Sequence, residues 1–455
     1  REGRDKKSVE RMNLLTFCFL RFHSDKVTHV VSEDSQAASL WKWLRECAPA
    51  DPPGVHVLDI SWFTDSMREG KPVAVETRHL IQDAVATPPE GSKPASMATV
   101  SQYACQRRTT TENSNKKITD AFEVLAENYE FNEMDGSCLA FRRAASVLKS
   151  LPMAVRSLRE TQDLPCLGEH TKAVLRCGRS FEVEKLLSDE RYQTFKLFTS
   201  VFGVGPKTAD KWYRGGLRSF SEVLADRSIH LNQMQQIGFL HYGDISGVVS
   251  KAEARSLRNI IDEAARATTP AAKVALTGGF CREKEFGHDV DFIVTTPELG
   301  GEETLLPKII DELKKQGMLL YCDYHPSTFD INKLPSPKFE AMDHYAKCFL
   351  ILRLEGSRVE GGLHIAEGDN RGWRAVRVDL VSPPVDRYAF ALLGWSGSRQ
   401  FERDLRRFAR AKRGMLLDNH ALYDKNKNEF LAASTEKDIF AHLGLEYIEP
   451  WQRNA

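Results

Sequence analysis

The sequence predicts a chain of several domains: α/β at its N-terminal end, all-α in the middle, and α+β beyond residue 271. Three observations predict this. Short apolar runs alternate with helical patterns over residues 1–85. Apolar residues recur at spacings of three and four, without strand alternation, from Ile118 to about Pro270. Beyond residue 271, strand-like and helix-like stretches alternate again. A length of 455 residues suffices for roughly three domains.

Composition bounds the function. With 42% hydrophobic and 28% charged residues the chain reads as globular and water-soluble. Lys plus Arg and Asp plus Glu are 63 each, so net charge does not point to nucleic acid and any basic surface must be local. Nine cysteines lie scattered with no C-x-x-C pair. That argues against a zinc ribbon or a secreted disulfide scaffold and for a reducing compartment. The apolar run "LLTFCFLRF" from Leu14 is too short to span a membrane and lacks a cleavage site, so no membrane partner is expected. The chain begins at Arg1, and the natural N-terminus is expected upstream.

In the first unit, "VTHVV" (Val27 to Val31) predicts a buried strand and "AASLWKWLREC" an amphipathic helix. "VHVLDISWFTDSMREG" predicts strand, turn and helix. This order resembles a BRCT domain lacking its first strand, with Trp62 where that family buries a tryptophan. Residues 86–117 are rich in Pro, Ser, Thr, Asn and Gly and predict a flexible linker. "ITDAFEVLAENYEF" and "CLAFRRAASVLKSL" predict helices.

"FTSVFGVGPKTADKW" predicts an apolar helix, a glycine hairpin and a new helix opening at Pro206. Free backbone N–H groups at such a start bind a phosphate without reading a base. The pattern resembles a helix-hairpin-helix, with Val204, Gly205, Pro206, Lys207 and Thr208 as DNA contacts. That resemblance implies a monovalent cation on the backbone of Thr199, Val201 and Val204. "LPCLGEHTKAVL" (Leu164 to Leu175) is a weaker second copy, equally readable as an ordinary helix corner.

The chemistry concentrates further on. Strand-like "KVAL" runs into Thr277, Gly278 and Gly279, with Arg282 and Lys284 close behind. Glycines let backbone approach a ligand, and cations at a helix start suit phosphate. "GHDVDFIV" follows, from Gly287 to Val294. Strand residues two apart share a face, so Asp289 and Asp291 lie side by side. In "RAVRVDLVS", Val376, Val378 and Leu380 face a core while Arg377 and Asp379 face the other way. Should the two strands pair, three carboxylates meet, which calls for hard divalent cations such as a pair of Mg2+ ions. The segment from Arg399 carries Arg399, Arg403, Arg406, Arg410 and Arg413 on one stripe and Phe401, Leu405 and Phe408 on another. The cationic stripe fits a solvated face or a phosphate chain equally, since Glu402 and Asp404 interleave.

"TGGFCREKEFGHDVDFIV", "AVRVDLV" and "FALLGWSGSRQFERDLRRFA" closely resemble family X DNA polymerases over residues 118–455. The resemblance implies a helical 8-kDa-like domain (118–190), a fingers-like subdomain (191–270), a nucleotidyltransferase palm (271–390) and a thumb-like, nucleotide-binding C-terminal subdomain (391–455). It implies Asp289, Asp291 and Asp379 as catalytic metal ligands. Gly278, Gly279, Arg282, Lys284, Gly287 and His288 would hold the triphosphate. Gly394, Trp395, Arg399 and Asn419 would contact sugar and base, and Lys347, Arg403 and Arg406 the DNA. The substrates implied are a dNTP and a single-stranded DNA primer or 3′ overhang. The BRCT-like unit implies end-joining partners, and the family a nuclear, monomeric enzyme of DNA recombination.

Gly394-Trp395 points to the branch shared by polymerase mu and the template-independent enzymes of N-region addition. The loop from His325 to Lys347, with "KLPS", and the ending "LGLEYIEPWQRNA" resemble the template-independent version. Template-directed gap filling as in polymerase mu stays open. An inactive end-joining scaffold is the reading of a different class, which the intact aspartates oppose.

Overall fold

In a computed structural model, the structure describes residues 29–32, 56–75, 79, 100–176, 181–330, 332, 343–364 and 371–455. The chain divides into two units, Arg1–Ser96 and Met97–Ala455. The helix expected from "AASLWKWLREC", residues 331 and 333–342 of the 325–347 loop, which include "KLPS", and residues 86–99 of the expected linker lie outside the described residues.

In the first unit, β1 (His29–Ser32) pairs in parallel with β2 (His56–Asp59), and α1 (Ile60–Glu69) follows directly. The Trp62 indole N–H donates to the Val73 carbonyl at 3.0 Å, so this half-buried ring is fixed at its polar end as well as its apolar body.

The second unit opens with a correction. Residues 100–117, expected to be linker, are packed. Tyr103, Ala104 and Cys105 are buried in the core of the C-terminal subdomain with Phe401, Leu405 and Phe408. The Ala104 N–H donates to the buried Asp404 carboxylate at 2.9 Å. Arg107 donates to Ser146 Oγ at 2.7 Å. The segment is polar in composition, but its backbone and side chains bond to Asp404 and Ser146 and its apolar residues are buried, so low hydrophobicity did not mean disorder.

Two antiparallel helices follow, α2 (Lys116–Phe131) and α3 (Asp135–Lys149), which bury the apolar stripe read in the sequence, including Phe122, Leu125, Phe141 and Leu148. Next, α4 (Glu190–Thr199) and α5 (Pro206–Arg214) flank the hairpin. Gly203 takes the left-handed conformation (φ 84°), whereas Gly205 is extended (φ −96°, ψ 173°) and needs no glycine-only conformation.

The α+β part rests on α6 (Lys251–Thr268) and a five-stranded sheet. Its strands are β3 (Lys273–Leu276), β4 (Val290–Thr295), β5 (Leu319–His325), β6 (Ala346–Glu355) and β7 (Trp373–Ser382), with α7 (Glu302–Lys315) between β4 and β5. The order is β3-β4-β7-β6-β5, antiparallel except for β4 beside β7. One face packs Val290, Phe292, Val376, Val378 and Leu380 against α6 and α7. The other face is also largely covered, which is why β7 is buried along most of its length rather than on alternate residues. The chain ends in α8 (Tyr388–Ser396), α9 (Arg399–Arg413), a three-stranded sheet and the helix Glu436–His442.

Candidate active site

Strand register builds the site. The parallel pairing of β4 with β7 sets Asp291 directly opposite Asp379, with Asp289 two residues before Asp291 on the same edge. These carboxylates sit at the floor of a cavity of about 1130 Å³. Its lining brings together Gly278, Gly279, Arg282, Lys284, Gly287, His288, Gly394, Trp395, Arg399, Arg403, Arg406 and Asn419. Most of the nucleotide contacts implied by sequence therefore converge, from segments more than 100 residues apart.

Electrostatics at the floor are unfavourable as they stand. Burial, then Asp289 and Asp379, push the Asp291 carboxyl up to about 8. Burial also raises Asp379, although Arg377 pairs with it through Nε–Oδ1 at 3.0 Å and Nη2–Oδ2 at 2.6 Å. Arg377 Nη1 lies 3.7 Å from Asp289 Oδ2. So Arg377 is the positive group between two of the three aspartates. Among the described residues no three carboxylate, imidazole or thiolate side chains close around one point, and the Arg377 fork occupies the Asp379 oxygens. The donor set itself, three carboxylates with excess negative charge, suits a hard divalent cation. Arg377 was noted in the sequence for its face but not as a site residue; its i, i+2 spacing from Asp379 on a strand was the available signal.

The opposite wall is cationic. Burial, and then the neighbouring Arg282, lower the pKa of Lys284. Crowded cations of this kind favour a bound anion. The 3-10 turn Phe280–Arg282 ends in Glu283 at φ 65°. Gly278, at φ 63°, gives its N–H to the Trp395 carbonyl at 2.9 Å. A Cβ on Gly278 would meet Asp291 Oδ2 at 1.9 Å, so this glycine makes room for the carboxylate.

A third wall is organised by Asp343. Its Oδ2 accepts from Trp395 Nε1 at 2.7 Å and from Asn419 Nδ2 at 3.1 Å. Burial works to raise this carboxyl, yet bonds from His420, Trp395 and the Tyr345 N–H hold it below its ordinary value. Arg406 Nη2 donates to Asn419 Oδ1 at 2.5 Å. On α9, Arg399 and Arg403 are exposed to the cavity. Glu402 and Asp404, which left a solvated face open in the sequence, are buried, so the two sides of the helix are sharply different.

Other nominated residues lie outside this cavity. Lys207 is exposed at the start of α5, with Pro206, and Thr208 donates its N–H to the Gly205 carbonyl at 3.0 Å. Val201 and Val204 are buried, and the Val201 carbonyl accepts the Val204 N–H at 3.0 Å; Thr199 closes α4. The hairpin still touches the site: Arg377 stacks 5.4 Å from the Phe202 ring. Lys347 is held by the Asp343 carbonyl, Nζ to O 2.8 Å.

Models of known families match four stretches of the chain. They are a helix-hairpin-helix domain (113–177), the fingers domain of DNA polymerase lambda (196–246), the DNA polymerase beta palm (249–325) and the DNA polymerase beta thumb (391–454). The weaker hairpin copy at Leu164 to Leu175 thus falls inside a matched helix-hairpin-helix domain. The chain is 65% identical over 439 residues to the DNA nucleotidylexotransferase of Oncorhynchus mykiss, covering 95% of this chain and 87% of the relative. It is 50% identical to that of Monodelphis domestica and 49% identical to that of Homo sapiens, with the same shares of each chain covered.

The chain belongs to the DNA nucleotidylexotransferases.

These terminal transferases are family X polymerases, and the helical, fingers, palm and thumb parts expected from the sequence are those of that family. As a nucleotidylexotransferase the chain is a nucleotidyltransferase enzyme, so the inactive scaffold is set aside. Among the described residues no helix is long and apolar enough to cross a membrane.

Proposed function

We propose that this chain adds deoxynucleotides to the 3′-hydroxyl of a DNA primer without reading a template. The observation that carries nucleotidyl transfer is the in-register pairing of Asp291 with Asp379 on the floor of a cation-lined cavity; independence of a template is supported by the 65% identity to a DNA nucleotidylexotransferase. Asp289, Asp291 and Asp379 would hold two Mg2+ ions once Arg377 yields the Asp379 oxygens. The chemistry such ions supply when bound is activation of the 3′-hydroxyl and neutralisation of the departing pyrophosphate. Arg282, Lys284 and the turn from Gly278 receive the triphosphate, while Gly287 and His288 form its rim. Trp395, Gly394, Arg399 and Asn419, braced by Asp343, line sugar and base. Arg403, Arg406 and Lys347 lie toward the primer, and the hairpin from Val204 to Thr208 takes its backbone phosphates, aided by a monovalent cation on the carbonyls of Thr199, Val201 and Val204.

The first unit, with its parallel strand pair and fixed Trp62, is read as a BRCT-like surface for end-joining proteins. The domain limits, action as a monomer and location in the nucleus follow from the same reading.

The test uses a single-stranded primer, one dNTP and Mg2+, with no template. Long untemplated tails are expected. Extension only on gapped or bridged duplex would overturn template independence and favour polymerase-mu-like synthesis.

A further inference from the structure

Arg282 is 8% exposed, and its direction is fixed by what surrounds it. Nη1 donates to the carbonyls of Gly278 at 2.6 Å, Ser396 at 2.9 Å and Gly397 at 3.3 Å. Nε donates to Asn454 Oδ1 at 3.3 Å, and Asn454 Nδ2 returns a bond to the Arg282 carbonyl at 3.2 Å. Among the described residues none of these bonds uses Nη2. A planar guanidinium held at two of its three nitrogens has its plane set, and the third nitrogen points one way. Arg282 lines the cavity, and Nη2 is the nitrogen that these bonds leave for a ligand there.

Asn454 is clamped in turn. Its N–H donates to the Thr109 carbonyl at 2.9 Å, and the Thr109 N–H donates to the Gln452 carbonyl at 2.8 Å. The Ser398 N–H donates to the Arg453 carbonyl at 3.3 Å, and Ser398 Oγ to an oxygen of Ala455 at 2.9 Å. Arg453 beneath is fully buried on Glu436, with Nη1–Oε1 at 2.7 Å. The last residues of the chain are therefore pinned between the strap at Thr109 and the start of α9.

We infer that Asn454 is a positioning residue for nucleotide binding: it sets the Arg282 guanidinium so that Nη2 meets the triphosphate, and Thr109 and Ser398 hold Asn454 in place. The inference rests on the reading of Arg282 as a phosphate ligand. It assigns a role in the reaction to the segments 100–109 and 452–455, neither of which carries a group that touches the reacting atoms.

The experiment compares Asn454→Ala, Asn454→Asp and Arg282→Ala in the full chain, with a single-stranded primer and one dNTP. For Asn454→Ala the KM for dNTP rises about tenfold, the size expected when a bond to a charged group is lost. kcat at saturating dNTP and primer affinity stay near wild type. Inhibition by inorganic pyrophosphate weakens by the same factor as dNTP binding, because the defect concerns phosphate. Asn454→Asp keeps an acceptor for Nε but loses the bond to the Arg282 carbonyl, so it restores part of the KM. A merely structural role would lower kcat, primer affinity and melting temperature together, without rescue by Asp, and would overturn the inference. So would a normal KM for Asn454→Ala alongside a raised KM for Arg282→Ala. A normal KM for Arg282→Ala would instead overturn the reading of Arg282 beneath it.

Discussion

The hairpin at Gly203 and the turn at Gly278 both follow an apolar element and both hold a glycine in the left-handed region, with φ of 84° and 63°. Their surroundings differ. A Cβ on Gly203 would meet Met234 Cγ at 2.7 Å, the flexible part of a side chain that can move aside. A Cβ on Gly278 would meet Asp291 Oδ2 at 1.9 Å, a carboxylate fixed on a paired strand. The same holds around the cavity: Gly394 makes room for Asn419 Oδ1 at 1.9 Å, and Gly397 for Glu402 Oε1 at 2.3 Å. The hairpin glycine shapes a half-buried backbone packed against Met234 and Gln235. The cavity glycines give up side-chain volume to a neighbour's polar group. Loss of the first should weaken DNA binding, and loss of the second should displace chemistry.

The sharpest break in this comparison is at the carboxylates themselves. Asp379→Ala should reduce addition by about 10³-fold or more while primer binding, read by anisotropy, survives. Near-normal activity would remove Asp379 from the reaction. Chelation with EDTA should do the same to wild type and be reversed by Mg2+.

Gly278→Ala should cost about 100-fold in kcat, since a small displacement of a reacting group has that effect. Primer affinity should be unchanged. Gly203→Ala should do the reverse, raising the primer Kd about fivefold through backbone strain, with kcat preserved. If both variants lose kcat alike, the contrast between the two turns is wrong.

Gly397 and Glu402 provide a pH test. Burial is the main cause that pushes the Glu402 carboxyl up to about 7. A carboxyl raised in the folded state stabilises the fold fully below its unfolded pKa, and that contribution is lost as pH rises through about 7. Glu402→Gln, which stays neutral, should gain on wild type in melting temperature between pH 5 and 8, by up to about 3 kcal/mol of stability. A constant difference across that range would show that Glu402 stays ionised.

The smallest effect is expected at Glu283, a non-glycine residue at φ 65° on the exposed end of the turn that follows Gly278. Glu283→Gly should stabilise by about 1 kcal/mol, measured by denaturant midpoint, with little change in kinetics.

Much of the site was legible because its parts are local. D-x-D on a strand, two glycines after a strand with cations close behind, and arginines at helical spacing are each read within a few residues. Trp395 and Asn419 come from family resemblance and the Arg399 to Arg406 stripe from helical spacing, and the cavity does contain them. What escaped was the second tier of contacts. Nothing in "ACQRRTTT" announces that Ala104 bonds Asp404, 300 residues away. Composition argued for a linker there, because it weighs apolar content and not hydrogen-bond partners. Glu402 and Asp404 looked like solvated charges for the same reason: helical spacing gives the face, but not what covers it.

By itself the sequence determined the elements, the family and the inventory of chemical groups: three aspartates, a phosphate-turn pattern and a cationic helix. Only the tertiary structure decided that Asp291 stands opposite Asp379, that Arg377 lies between the aspartates, and that Asn454 holds Arg282 across 172 residues. Spacing along a chain fixes which face a residue takes, since that depends on the geometry of one element. Which faces meet depends on strand register and on packing between distant segments, and no local pattern encodes that choice.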